Sequence, residues 1–413
     1  MASASIITIG DELLIGQVID TNSAWIAQEL NKIGIPVKRR VAVGDEWDEI
    51  WEALDEEAKH SEIILITGGL GPTSDDITKP LLCKYFNGKM IVNEDALQNV
   101  KYLFEQIFKR PLTEINIKQA EVPDACTVIQ NKKGTAPGMW FEKEGTQYIS
   151  LPGVPHEMKG MITDDVLPSL QKKYVSSPIV HRTLLTAGVG ESFLAEQLKE
   201  FEASLPKSVK LAYLPSYGMV RLRLSTAGDE QEINELFYNL QLLVKDYLVT
   251  DKDESMAETV AKLLLRYRKT VTTAESCTGG YIAHLITSIA GSSAFYNGSI
   301  VSYGYEAKVN LLGVSKETLT NYGAVSEETV KEMLRGVIHQ LDTDYGIAVS
   351  GIMGPDGGTP DKPVGTVWVA VGSKANTKTH KFTFRFDRAK NIELTGINAL
   401  NLLRRFIIAE NTA

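Results

Sequence analysis

The run Ile63-Ile64-Leu65-Ile66-Thr67 constrains the fold of this chain more than any other stretch. Apolar residues without alternation suit a parallel strand covered on both faces, not one half open to solvent. Its surroundings carry the same logic. Ala4 to Ile9 reads as a short apolar strand, and Thr21-Asn22-Ser23 opens a helix through Asn31 that stops at Gly34. Val37 to Val43 is the next strand, and Asp45 opens a helix to His60. The resulting β-α-β-α-β order predicts an α/β domain with an open sheet, binding its ligand beyond the carboxyl ends of the strands.

Two distinctive segments fall at those ends: Gly10-Asp11-Glu12-Leu13-Leu14-Ile15-Gly16 after the first strand, and Gly68-Gly69-Leu70-Gly71-Pro72-Thr73-Ser74-Asp75-Asp76 after the third. Glycines let backbone N–H groups approach phosphate, and carboxylates can hold a divalent cation that neutralises it. Gly10, Gly69, Gly71 and Thr73 are therefore candidate ligand contacts, and Asp11, Asp75 and Asp76 candidate metal or phosphate-site residues. Asp75 and Asp76 also suit capping of a helix from Ile77 to Tyr85. His156 and Glu157, after Leu151-Pro152-Gly153-Val154-Pro155, are placed to line the same cleft.

A second junction lies in the C-terminal third. Ala274-Glu275-Ser276-Cys277-Thr278-Gly279-Gly280 follows the strand-like Thr270-Val271-Thr272-Thr273 and precedes Tyr281 to Thr287, whose apolar positions 282, 285 and 286 recur at helical spacing. Ser276 thus sits where a strand turns into a helix. N–H groups at such a start would favour an anion or a developing oxyanion, and Thr278, Gly279 and Gly280 would offer them. Ser276 could equally be only the cap of that helix. Cys277 is a competing nucleophile, since thiols are intrinsically better ones. His284 reads as packing. Downstream, Gly298 to Lys308 holds a strand-like run followed by a Tyr and a Lys. Ser350-Gly351-Ile352-Met353-Gly354-Pro355-Asp356-Gly357-Gly358 follows the apolar strand Tyr345 to Val349, and its Gly354, Gly357 and Gly358 read as a backbone cradle for ligand phosphate or ribose.

Between these regions, His181 to Val189 reads as a strand and Glu191 to Leu205 as a helix. Val209 to Leu214 and Met219 to Ser225 flank Pro215-Ser216-Tyr217-Gly218 as a hairpin, and Ile233 to Val244 marks an amphipathic helix. Asp251 to Ser255 reads as a linker, ahead of a helix from Met256 to Tyr267.

Length and composition set outer bounds. The 413 residues suffice for two or three domains, and 43% hydrophobic with 23% charged residues describes an ordinary globular chain. A formal net charge of −9 opposes broad capture of nucleic acid or anionic membrane. Three scattered cysteines (83, 126, 277) point to reduced thiols and a cytoplasmic location. The amino end runs directly into a strand, without a secretory signal pattern. No apolar run approaches a membrane span. The six histidines and three cysteines form no zinc-ligand spacing, so a metal here should be oxygen-bound.

Taken with Gly298-Ser299-Ile300-Val301-Ser302-Tyr303-Gly304-Tyr305-Glu306-Ala307-Lys308, Gly323-Ala324-Val325-Ser326-Glu327-Glu328 and Lys362 to Ala370, the C-terminal third resembles the CinA C-terminal family, the nicotinamide mononucleotide deamidases. The first two glycine segments, with Gly134-Thr135-Ala136-Pro137-Gly138 and Leu151 to Pro155, resemble the molybdopterin-binding fold family and, more narrowly, the N-terminal domain of CinA proteins. The middle region resembles their KH-type domain but has no Gly-x-x-Gly loop, so it is read as a spacer or dimer-forming unit.

The resemblance implies a three-layer α/β domain over residues 1–170, a small KH-type α+β domain over 171–250, and an α/β deamidase domain over 251–413. It implies Ser276 as nucleophile, with Tyr303 and Lys308 as proton-handling partners, and no cofactor for that site. It also implies a second, divalent-metal-dependent ADP-ribose pyrophosphatase in the first domain, using Mg2+ or a similar ion. The expected partners are pyridine nucleotides, ADP-ribose and a second copy of the chain, with neither nucleic acid nor membrane. A non-catalytic nucleotide sensor, an accessory factor in DNA uptake and a molybdopterin-handling enzyme stay open as alternatives.

Overall fold

A computed structural model describes residues 2–73, 76–174 and 179–412. The chain divides into two compact units, Met1–Val180 and His181–Ala413.

The first unit is built on a six-stranded sheet in the order Val37–Val43, Ala4–Ile9, Ile63–Thr67, Thr146–Leu151, Gly138–Lys143, Thr127–Ile129. The first four strands run parallel and the last two close the sheet antiparallel. Successive residues of the central strands feed opposite cores. Ile6, Ile63 and Leu65 pack with Ile26, Leu30 and Met158, while Ile7, Ile64 and Ile66 pack with Ile50, Leu54 and Leu82. Helices therefore cover both faces, giving three layers, and the unalternated run Ile63–Thr67 is buried throughout.

The second unit contains two sheets. The smaller has the order Val209–Ser216, Met219–Thr226, Val180–Ala187, Leu248–Thr250. The short strand Leu248–Thr250 has no pattern long enough to be read from sequence; its antiparallel pairing with Val180–Ala187 creates it. The helix expected from Glu191 to Leu205 is two pieces, Glu191–Gln197 and Lys199–Ser204, interrupted at Leu198. The larger sheet has the order Tyr296–Val301, Val271–Glu275, Tyr345–Gly351, Thr366–Ser373, Thr377–Thr383, with the first three strands parallel. Helix Met256–Tyr267 begins at a reciprocal cap, in which Ser255 N–H donates to Glu258 at 2.6 Å and Glu258 N–H donates to Ser255 Oγ at 3.2 Å. Leu185, Ala187 and Val249 of the middle sheet share one core with Val260, Leu264 and Val271, so the two domains form one unit. Among the described residues, no helix is long and apolar enough to cross a membrane.

Candidate active site

Ser276 follows strand Val271–Glu275, which lies between the parallel strands Tyr296–Val301 and Tyr345–Gly351. Its N–H donates to Val349 O at 3.1 Å, extending the sheet by one residue and fixing the backbone that carries the hydroxyl. Gly279 and Gly280 then adopt φ of 62° and 100°, a left-handed turn that favours glycine and leads into helix Tyr281–Thr287.

Several amides of that turn are committed within the protein. Glu275, fully buried, accepts from Gly280 N–H at 3.0 Å, Ile282 N–H at 3.1 Å and Ala283 N–H at 2.8 Å. It also accepts from Thr278 Oγ1 at 2.7 Å and Thr273 Oγ1 at 3.2 Å. Gly279 N–H donates to Ser276 O at 3.2 Å. Ser276 therefore does not cap the helix; the preceding glutamate does. The amides expected to be free are used inside the protein: that of Gly280 goes to Glu275, since a fully buried carboxylate needs several donors, and that of Gly279 goes to the Ser276 carbonyl. Thr278 likewise directs its hydroxyl at Glu275. Sequence reading missed Glu275 as a functional residue, although a carboxylate just before a Ser-x-x-Gly-Gly turn is a usable signal.

Lys308, on helix Tyr305–Leu312, is 1% exposed, and Ser276 is 8% exposed. Lys308 Nζ donates to Ser276 Oγ at 2.9 Å, to Ser302 O at 2.7 Å and to Tyr303 O at 3.1 Å. Burial pushes the lysine down to about 8, because low dielectric disfavours the ammonium. Cys277 points into the apolar core, and burial pushes its thiol up to about 12. It is a poor source of thiolate at neutral pH.

Tyr303 contributes its backbone carbonyl to Lys308. Its ring is 62% exposed, and its hydroxyl accepts from Arg388 Nη2 at 3.0 Å, which differs from a place in the serine–lysine pair. Arg388 Nη1 also donates to Gly354 O at 3.0 Å. The guanidinium thus links the loop after Tyr296–Val301 to the loop after Tyr345–Gly351, the two neighbours of the Ser276 strand. Arg388 belongs to the helix Arg388–Thr412, whose first turn also carries buried Asn391, donating to Met353 O at 3.1 Å and Phe386 O at 2.9 Å. Neither residue was legible as functional, since nothing local in sequence ties them to the strand ends. Gly354 and Gly357 take φ of 86° and 91°, and a Cβ on Gly358 would stand 2.8 Å from Val364 N, so this loop is folded on the Lys362–Gly365 segment.

In the first unit, a cavity of about 410 Å³ opens at the strand ends. Gly10, Gly69, Gly71, Glu12, Asp45 and Glu157 line it. Asp11 holds the rim together instead: its Oδ1 accepts from Asp45 N–H, and its N–H donates to Asp45 Oδ2, both at 3.1 Å. Asp76 lines the cavity but commits its carboxylate to its own loop, accepting from Gly71 N–H at 2.8 Å and Thr73 N–H at 2.9 Å. It does not cap the helix, which begins at Thr78. Asp75 lies outside the described residues. Among the described residues, no three His, Cys, Asp or Glu side chains are grouped to hold a metal. The cavity's donors are oxygens, which fits a hard cation that takes one or two carboxylates and completes its shell with substrate phosphates.

Three family models match the chain: the CinA C-terminal domain over residues 253–407, the "Probable molybdopterin binding domain" over 5–172, and the damage-inducible protein CinA KH domain over 181–251. A CinA-like protein of Flavobacterium psychrophilum is 47% identical, covering 98% of both chains. One from Cytophaga hutchinsonii is 46% identical, covering 97% of both. A third, from Chloroherpeton thalassium, is 41% identical over 98% of this chain and 99% of its own.

Proposed function

As the chain belongs to the CinA family, we propose that its C-terminal domain hydrolyses the carboxamide of nicotinamide mononucleotide, giving nicotinate mononucleotide and ammonia. The observation that carries this reading is the buried Lys308 ammonium 2.9 Å from Ser276 Oγ. Two of its protons go to carbonyl oxygens that can only accept. On losing its third proton the amine keeps both carbonyl contacts, and its lone pair is left facing the serine hydroxyl.

In that state Lys308 takes the Ser276 proton as Oγ bonds to the carboxamide carbon. The same proton then passes to the leaving nitrogen as the C–N bond breaks, releasing ammonia and leaving an acyl-serine. Water repeats the cycle: Lys308 accepts its proton, the oxygen attacks the ester, and Ser276 recovers its hydrogen. Glu275 holds the turn that aims Ser276. Arg388 is exposed and hydrogen-bonds both flanking loops, and it supplies a contact for the nucleotide phosphate.

A second reading concerns the first domain, where the glycine- and carboxylate-lined cavity supports cleavage of ADP-ribose to AMP and ribose 5-phosphate. A bound divalent cation would neutralise pyrophosphate charge there, held by Glu12, Asp45 or Glu157. The glycine loops would orient the phosphates through their amides.

The test is product analysis with the full chain, given nicotinamide mononucleotide alone and, separately, ADP-ribose with Mg2+. Ammonia release that disappears in Ser276→Ala supports the deamidase. No ammonia from the intact chain would turn the reading to a non-catalytic nucleotide sensor. Tight molybdopterin binding without ADP-ribose cleavage would turn the first domain to pterin handling.

A further inference from the structure

The turn Pro215-Ser216-Tyr217-Gly218 of the middle sheet lies against the C-terminal helix. Lys390 Nζ stands 3.0 Å from the centroid of the Tyr217 ring. A Cβ on Gly218, whose φ is 69°, would stand 3.6 Å from Leu394 Cδ2 and 3.7 Å from Asn398 Nδ2. Met219 packs into the core shared by the two domains. Residues 390, 394 and 398 recur every fourth position, so the turn follows one face of the helix.

The turn grips the helix at its working end. Arg388 and Asn391, which hold Gly354, Tyr303 and Met353, share the first turn with Lys390. Helix ends lack intrahelical partners and fray first. Asp387 provides one restraint, accepting from Lys390 N–H at 2.9 Å. The Lys390 ammonium pairs with Glu393 at 3.9 Å, a long and partly exposed contact worth little. The close seat of the ammonium over the Tyr217 ring is a second tether, and here the ring comes from another domain.

We propose that Tyr217 is a positioning residue for the deamidase site: the middle-domain turn fixes the first turn of the C-terminal helix and, through it, the Arg388 guanidinium. The middle domain is then a working part of the substrate-binding end of the site and not a spacer. The inference rests on the reading of Arg388 as the phosphate contact.

The experiment compares the intact chain with Tyr217→Leu, which keeps apolar bulk without a ring, and Tyr217→Phe, which keeps the ring. Steady-state kinetics use nicotinamide mononucleotide and its riboside lacking the phosphate, and amide hydrogen exchange is followed over residues 386–392. Tyr217→Leu should raise KM for the mononucleotide about three- to tenfold, with kcat and the riboside KM unchanged. Exchange should quicken at 386–392 in Tyr217→Leu alone, and Tyr217→Phe should behave as the intact chain. Unchanged exchange and KM in Tyr217→Leu would overturn the proposal, as would faster exchange across the whole C-terminal domain. If the intact chain releases no ammonia, a local exchange change still supports the positioning role while the deamidase reading falls.

Discussion

The two candidate sites sit at equivalent places, beyond the carboxyl ends of parallel strands, yet they are built in opposite ways. Around Ser276 the key charged groups are matched inside the protein: Glu275 takes five donors, Lys308 reaches three acceptors, and Ser276, the proposed nucleophile, is buried. The N-terminal cleft is lined in part by glycine loops, and its carboxylates brace loops or face the cavity. The difference follows from the chemistry each would perform. Covalent attack on an amide by a serine–lysine pair requires a lysine whose pKa has been lowered in advance, and burial is the largest cause of that here. Phosphate chemistry can let the ligand and its cation complete the site.

Breaking each site alone is the strongest test of this contrast. Ser276→Ala should lower deamidation by about a thousandfold or more while ADP-ribose cleavage stays within about twofold, read from ammonia and AMP release. Chelation should do the reverse, abolishing ADP-ribose cleavage and sparing ammonia release. Parallel loss of both activities under chelator would end the distinction between a self-contained site and one completed by its ligand.

Lys308 sharpens the comparison. Lys308→Ala and Lys308→Arg should each cost about a hundredfold or more in kcat, because arginine keeps the charge but does not deprotonate. In the intact chain, kcat should be flat above about pH 8 and fall as pH drops below it, since the base becomes protonated. Substantial kcat in Lys308→Arg would reassign the lysine as an anchor.

Glu275→Gln should cost about 2–4 kcal/mol of stability, measured by denaturant unfolding, as an amide turns its own donors towards buried N–H groups. A change under 0.5 kcal/mol would refute Glu275 as the organiser of the turn. The smallest effect is expected for Cys277→Ala, within about threefold of normal kcat, because its thiol sits in the core with its pKa raised. Large loss there with Ser276→Ala active would exchange their roles.

Much of the architecture was legible where a single local pattern suffices. The run Ile63–Thr67 announced a doubly covered strand, and Met256 to Tyr267 shows its helical period and cap within one segment. The strand-to-helix junction at Ser276 was legible for the same reason. The helix Arg388–Thr412 carried no such announcement: its weak periodicity reflects burial on several sides, as at Asn391, Ala399 and Arg404. With it Arg388 and Asn391 went unseen, and so did the exposed position of the Tyr303 ring.

Sequence by itself determined where the first three strands of the N-terminal sheet end, because β-α alternation and glycine placement are local properties, but not the parallel strand Thr146–Leu151. It also determined that Ser276 stands at a turn beside a carboxylate. Tertiary structure decided what those residues do. Ser276 and Lys308, 32 positions apart, close to a hydrogen bond only when neighbouring strands pair. Whether a carboxylate caps a turn, braces a rim or faces a cavity depends on which N–H groups folding brings within reach, as Glu275, Asp11 and Glu12 respectively demonstrate. Pairing and burial are long-range outcomes, and they alone turn an ordinary lysine into a candidate base.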